Sequence, residues 1–361
     1  MSSSIEIKEN VRLAPLTTLQ VGGNAKYFVT AENEFAVIEA LAFAREKGLA
    51  VFILGGGSNL LISDSGFDGL VVQMKMDRSD ARKWAEEDGY LDGSGLEIDE
   101  PGSRRFCVGA GESWDDFVKF CVENDFAGVE CLSGIPGSVG GTPIQNVGAY
   151  GQEVSESILA VRCIDTVNLR PIRITNVDCK FAYRSSIFNT SEVGRYVVYD
   201  VTFLLKYQGS PKVVYKDLIE HFGERRPSLT EVREAVLNIR RSKSMVIDAD
   251  DPNSRSAGSF FKNPIVSCDK LAELQAEMGN IPNFPFGDAV KIPAAWLIEK
   301  SGLHKGFSLG NVGISSNHTL AIINRGGATA NDIFVLKDEI QRTVADKFGI
   351  MLDPEPVFVG F

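Results

Sequence analysis

A hydroxyl next to two aromatic rings, an amine and an amide marks the stretch of clearest chemical potential: Ala257-Gly258-Ser259-Phe260-Phe261-Lys262-Asn263-Pro264. A core strand favours alternation or β-branched residues, and a surface turn has no use for two phenylalanines. The order reads as Ser259 held in a rigid, partly apolar setting, with Lys262 and Asn263 available as donors. The other reading is a buried strand opened by Gly258, with a helix after Pro264.

Four further motifs offer chemistry. Gly55-Gly56-Gly57-Ser58-Asn59 follows an apolar run and could lay backbone N–H groups along a phosphate. It lacks the Gly-Lys-Ser/Thr of a P-loop, and no G-x-G-x-x-G opens a helix, so a Rossmann fingerprint is absent. A second glycine-rich segment runs from Ser133 through Gly137, Ser138, Gly140 and Gly141. Together the two suggest a cradle for a pyrophosphate ligand; ordinary tight turns are the alternative. Arg184 sits in an aromatic frame, Phe181 to Phe188, where a guanidinium needs an anionic or π partner. That partner is either a structural acid or a ligand carboxylate. Glu355 stands between Pro354 and Pro356, which stiffen the backbone on both sides; a solvated loop acid is the alternative.

The elements that must position these groups alternate early and turn helical late. Asn33 caps a helix from about Glu34 to Lys47, with Phe35, Ile38, Leu41 and Ala42 on one face and Gly48 at its end. Leu49 to Leu54 reads as a buried strand, resumed at Leu60-Leu61-Ile62. Residues 78–105 read as a polar exposed excursion. Ser113 caps a helix bearing Trp114, Phe117, Phe120 and Cys121. Leu159–Asp165 and Arg195–Leu205 read as strands. The composition shifts after Tyr207, which puts a boundary between Gln208 and Pro227. Beyond it, Thr230 caps one helix, Pro293 to Ser301 forms another, and Asn331 caps a third that ends at Gly349.

The 361 residues suffice for two or three domains, and 44% apolar with 24% charged residues is the composition of a globular protein. A net charge of −11 argues against a nucleic-acid partner. No signal peptide opens the chain and no apolar run is long enough to span a bilayer. Six scattered cysteines without a C-x-x-C pair point to free thiols in a reducing compartment, and three histidines lack metal-ligand spacing, so no metal is expected.

In order and spacing these motifs resemble the UDP-N-acetylenolpyruvoylglucosamine reductase (MurB) family. The resemblance runs from Leu16-Thr17-Thr18 and Gly22-Gly23 to Glu355 and is most specific at Leu54–Asn59, Gly134–Gly151, Tyr183–Phe188 and the Ser259 octapeptide. It implies an α+β fold: two FAD-binding subdomains of the PCMH (vanillyl-alcohol-oxidase) type, plus a C-terminal α+β substrate-binding domain. The implied division is 1–76 with 350–361 returning to it, 77–226, and 227–349. The segment around Tyr215 is similar to the type I branch, in which a tyrosine closes over the UDP-sugar.

The resemblance also implies a reaction. NADPH reduces non-covalent FAD and leaves. The enolpyruvyl ether of UDP-N-acetylglucosamine then enters, takes hydride at its β-carbon and is protonated at its α-carbon. Mapped by motif, Arg184 binds the substrate carboxylate, Glu355 polarises it with a pKa raised by burial or a nearby anion, and Ser259 gives the final proton, with Lys262 or another donor holding its hydroxyl. Gly55, Gly56, Gly57, Ser58, Asn59, Ser133, Gly137, Ser138, Gly140, Gly141 and Arg240 fall on the cofactor side. Tyr183, Tyr215, Lys243, Asn263 and His318 fall on the substrate side. Three positions depart from the family pattern: Lys243 is followed by Ser244-Met245-Val246-Ile247, Val357 stands where some members carry a basic residue, and His318 replaces another polar residue. A catalytically silent nucleotide-binding homologue and a flavin oxidase of the same fold are the competing functions. The first would lose the acid or the arginine. The second often tethers its flavin through His or Cys, yet the first histidine here is His221. A cytoplasmic monomer is expected, with a weak dimer as the alternative.

Overall fold

Asn33 and Gly48 bracket the first helix as their side-chain chemistry dictates. Asn33 accepts from the N–H of Ala36, Glu34–Lys47 is helical, and Gly48 closes it in the left-handed conformation at φ 63°. The face turned inward is Val37, Ala40, Leu41 and Ala44, whereas Phe35 is 69% exposed. The computed structural model describes residues 5–76 and 102–361. Most of the polar excursion expected at 78–105 therefore lies outside the described residues; its last three residues, Ser103 to Arg105, already belong to the strand Ser103–Gly109.

Contacts divide the chain into two compact units. The first comprises Met1–Val11, Ala25–Gly56 and Asp68–Arg241; the second comprises Arg12–Asn24, Gly57–Phe67 and Ser242–Phe361. In the first unit, Ala50–Leu54 pairs in parallel with Phe67–Met74 inside a four-stranded sheet completed by Asn24–Ala31 and Lys8–Arg12. A second, antiparallel sheet has the order Arg170–Thr175, Ile158–Asp165, Tyr196–Tyr207, Ser103–Gly109. The helix Trp114–Glu123, capped by Ser113, buries Trp114, Phe117, Val118, Cys121 and Val122. Phe117 and Trp114 meet Phe203 of the central strand at ring distances of 4.9 and 5.8 Å.

The helix Leu229–Ser242 also belongs here. Val232, Ala235 and Val236 pack with Cys131, Leu218 and Phe222. The compact boundary consequently lies at Arg241, some fifteen residues beyond the Pro227 end of the turn-rich segment. Thr230 is inside this helix; the cap is Ser228, whose hydroxyl accepts from the N–H of Glu231 while Glu231 accepts from the N–H of Ser228.

The second unit is a set of short sheets around helices. Leu60–Ile62 pairs in parallel with Val357–Val359. Two three-stranded antiparallel sheets follow, one of Ile265–Ser267, Ala289–Lys291 and Phe284–Phe286, the other of Ser308–Leu309, Val312–Ile314 and Ile322–Asn324. The long helix Ala330–Phe348 buries Ile333, Leu336, Ile340, Val344 and Phe348. Its cap is Thr329, not Asn331, because Thr329 and Asp332 satisfy each other's N–H groups in a capping box. Leu19, Val21 and Leu61 join the core of this unit from far upstream.

Candidate active site

In the first unit the two glycine-rich segments pack backbone against backbone. A Cβ added to Gly56 would stand 2.5 Å from Gly137 Cα, and one added to Gly55 would stand 2.7 Å from Ser138 Oγ. Only residues without a side chain allow that approach. Ser138 Oγ is buried and has no hydrogen-bond partner among the described residues, an expensive condition for a hydroxyl unless a ligand satisfies it.

Asp115 fixes the second segment from the first turn of its helix. It accepts from the N–H of Gly134 at 2.6 Å and from both ends of Arg233 at 2.6 and 3.0 Å. Burial alone would raise its carboxyl, but these donors hold it below the ordinary carboxylate range. Two turns beyond Arg233 on the helix Leu229–Ser242, Arg240 is buried beside Tyr150. Burial pulls the guanidinium below its ordinary value, with Tyr150 and Asp115 opposing; burial likewise pushes the Tyr150 phenol up to about 12.

Other residues expected on the cofactor side have different employment. The N–H of Gly140 donates to Ala110 O and that of Gly141 to Ser138 O, both at 3.0 Å. The Ser133 hydroxyl donates to Glu130 O at 2.6 Å. These three shape the segment rather than offering those donors to a phosphate. Gly57 belongs to the second unit, where a Cβ would lie 1.9 Å from Leu16 O. Beside it Ser58 O accepts from the Thr18 hydroxyl, and Asn59 donates through Nδ2 to Glu355 O at 3.2 Å.

Arg184 occupies the tip of a tight turn in the first unit, where Ala182 and Ser185 exchange N–H···O bonds of 2.9 and 3.0 Å. Its φ is +52°, in the left-handed region that disfavours every residue but glycine. The guanidinium donates to Gly148 O at 2.9 Å and lies 5.5 Å from the Tyr183 ring centre. Asn146 and Tyr150, at φ +46° and +49°, repeat that strain a few residues from Gly148. Buried Asn146 ties the two segments by donating to Ala182 O and Glu153 Oε2. Such clustering of strained backbone is characteristic of functional sites. Tyr215, the N-cap of the helix Lys216–Phe222, sets its ring edge-on 5.4 Å from Tyr150. Asn146 and Tyr150 lie in the Gly134–Gly151 stretch that carries the resemblance but have no role assigned from sequence, and the Asp115–Arg233 pair has no local signal.

In the second unit the Ser259 octapeptide is not a buried strand: Gly258 and Ser259 make a bend, and Phe261 forms only an isolated bridge to Pro354. Phe260 and Phe261 are fully buried, and a short strand and helix follow Pro264. Gly258, at φ +73°, turns the chain just before the hydroxyl. Ser259 Oγ lies 3.2 Å from His318 Nε2. Lys262 is not its holder: the ammonium bonds Asp353 Oδ2 at 2.7 Å. Glu355 enters through its backbone, donating its N–H to Phe260 O at 2.9 Å, which puts the half-buried acid one residue from Ser259 across an extended pairing. Asn263 Oδ1 accepts from the N–H of Ala294 at 2.9 Å and so caps the helix Ala294–Lys300, leaving its amide nitrogen as the end suited to a ligand acceptor. Lys243 adjoins Ser244, whose hydroxyl accepts from Asn317 Nδ2. Among the described residues no group of side chains could hold a metal ion.

A nucleotide-cradling unit followed by a unit bearing a buried-edge hydroxyl and an acid is the outline of a two-part flavoprotein. Residues 25–167 match the model of an FAD binding domain, and residues 250–359 match that of the UDP-N-acetylenolpyruvoylglucosamine reductase C-terminal domain. Proteins named UDP-N-acetylenolpyruvoylglucosamine reductase are similar over nearly the whole length: that of Thermobifida fusca is 44% identical over 97% of each chain, and that of Mycobacterium marinum is 38% identical over 98% of this chain and 95% of its own. The crystal structure of the reductase (MurB) from Thermus caldophilus, 23% identical, shares the fold with a TM-score of 0.65 over 98% of this chain and 99% of its own. The chain belongs to the UDP-N-acetylenolpyruvoylglucosamine reductase family. Its fold class is the expected one, an FAD-binding domain joined to the family's C-terminal domain, both mixing helix and strand. Gly55, Gly56, Gly137 and the unsatisfied Ser138 hydroxyl fit the pyrophosphate of FAD.

Proposed function

We propose that Arg184, Ser259 and Glu355 carry out the family reaction, the FAD-dependent reduction of the enolpyruvyl ether of UDP-N-acetylglucosamine to UDP-N-acetylmuramate in peptidoglycan precursor synthesis. FAD supplies the redox chemistry when bound, with NADPH as the reductant. The rest falls to the protein. An unactivated vinyl ether accepts an electron pair only if the charge that builds at its α-carbon is stabilised. Arg184 offers a planar fork to the substrate carboxylate, into which that charge spreads. Glu355 polarises the same carboxylate. Ser259 protonates the α-carbon: its O–H breaks, the C–H forms, and the charge ends on Oγ.

The observation that carries this reading is Ser259 itself. Its hydroxyl lies 3.2 Å from an imidazole, and Glu355 bonds the backbone of the very next residue, buried Phe260. In this reading Gly55, Gly56, Gly137, Ser138 and Arg240 serve the cofactor directly, Gly57, Ser58, Asn59, Ser133, Gly140 and Gly141 serve it by shaping the loops, and Tyr183, Tyr215, Lys243 and Asn263 serve the UDP-sugar. The functional division is 1–76 with 350–361, 77–226 and 227–349; it need not follow the compact units. No helix among the described residues is long and apolar enough to cross a membrane, and we assign the protein to the cytoplasm as a monomer.

Ser259→Ala tests the assignment. Reduction of the flavin by NADPH should keep its rate, while reoxidation by the enolpyruvyl sugar slows by about a hundredfold or more. Unchanged reoxidation would remove Ser259 as the acid.

A further inference from the structure

We infer that His318 acts in proton delivery, through Ser259, rather than as a contact to the UDP-sugar. The inference rests on the reading of Ser259 as the proton donor.

Ser259 and His318 are 59 residues apart, yet a backbone ladder locks their segments together. Asn324 N–H donates to Arg255 O at 3.0 Å, Ser256 bridges Ile323, and Phe260 N–H donates to Leu320 O at 2.7 Å. The imidazole side of the pair is equally constrained. His318 O accepts from the N–H of Ala321, Ser315 Oγ accepts from the N–H of Asn317, and Asn317 Nδ2 donates to Ser244 Oγ at 2.8 Å. Thr319, the next residue, is buried. With both backbones fixed, the 3.2 Å separation of Oγ and Nε2 is a built contact rather than a chance meeting of mobile side chains.

The chemistry calls for such a contact. A serine hydroxyl that yields its proton becomes an alkoxide, and an alkoxide in a half-buried setting is costly without a donor. In the tautomer that carries its proton on Nε2, the imidazole supplies that donor. It accompanies Oγ from hydroxyl to alkoxide, orients the O–H in the ground state, and strengthens as the charge arrives. The nearby ammonium of Lys262 is engaged with Asp353. His318 is thus a positioning residue, acting through Ser259.

Rapid-mixing of reduced holoenzyme with the enolpyruvyl sugar, paired with calorimetric titration of the oxidised holoenzyme, tests this. For His318→Ala, NADPH reduction and sugar affinity should stay within about twofold of the parent, and reoxidation should slow by roughly ten- to a hundredfold. His318→Gln, whose amide nitrogen can donate, should recover most of that rate; His318→Phe, which keeps ring bulk without a donor, should not. In Ser259→Ala/His318→Ala the second substitution should add nothing to the first. The inference is overturned if Phe rescues as well as Gln, or if His318→Ala weakens sugar binding and leaves reoxidation unchanged. Should Ser259→Ala itself reoxidise normally, the proposed acid fails, and with it the premise.

Discussion

Arg184 carries a cost that its role must justify. A non-glycine residue at φ +52° is held against about 1–2 kcal/mol of local strain, and Asn146 and the Ala182–Ser185 turn hold it there. Arg184→Lys keeps the charge and the same backbone penalty but loses the fork. The expected result is a reoxidation rate about a hundredfold lower with near-normal NADPH reduction; a fully active Lys variant would show that charge alone suffices. The roles proposed for Arg184, Ser259 and Glu355 came with the family resemblance, while their candidacy was legible from their neighbours in the chain. The partner of Ser259 was not. Lys262 is three residues away, but extended backbone separates the two side chains, and Asp353 satisfies the ammonium. His318 reaches the hydroxyl only because strand pairing folds residue 318 back onto residue 259, and no local pattern encodes such a meeting.

Elements explain which glycines matter. Gly55 and Gly56 end a strand and meet Gly137 and Ser138 at distances where a methyl group would strike backbone or hydroxyl. Gly56→Ala would force the two segments apart. The expected product is a folded protein, judged by circular dichroism, that purifies without its yellow flavin; stoichiometric FAD in this variant would sink the cradle assignment. The five helices expected outright from the sequence lie within a residue or two of the structure's, whereas Lys216–Phe222 falls inside the Gln208–Pro227 segment read as a boundary, and the caps are less legible. Thr230 lies two residues past Ser228, and Asn331 two past Thr329, all of capping type. The choice falls to the residue whose N3 partner is an acid that reaches back, Glu231 for one and Asp332 for the other. The first helix shows a second limit. Phe35 is one of the two largest apolar side chains on it, but its first-turn position leaves it outside the stripe of Val37, Ala40, Leu41 and Ala44 that is buried.

At the scale of the whole molecule, the unit that bears Ser259 is not a contiguous stretch of sequence. Leu19, Val21 and Leu61 belong to its core, and Leu60–Ile62 is the strand partner of Val357–Val359. A fragment of residues 242–361 would lack those side chains and that strand. It should give poorly dispersed amide resonances by NMR and no cooperative melt, whereas a sharp transition would show that the upstream segments are dispensable. The same interleaving sets a schedule for synthesis. Between Leu61 and Ser242 lie 180 residues by their numbering, which a ribosome adding about 5–20 residues per second completes in roughly 10–40 s. For that interval three apolar side chains are already made while the core that will cover them does not yet exist. A nascent chain in this window is a natural client for a chaperone, and faster elongation through 62–241 shortens its exposure.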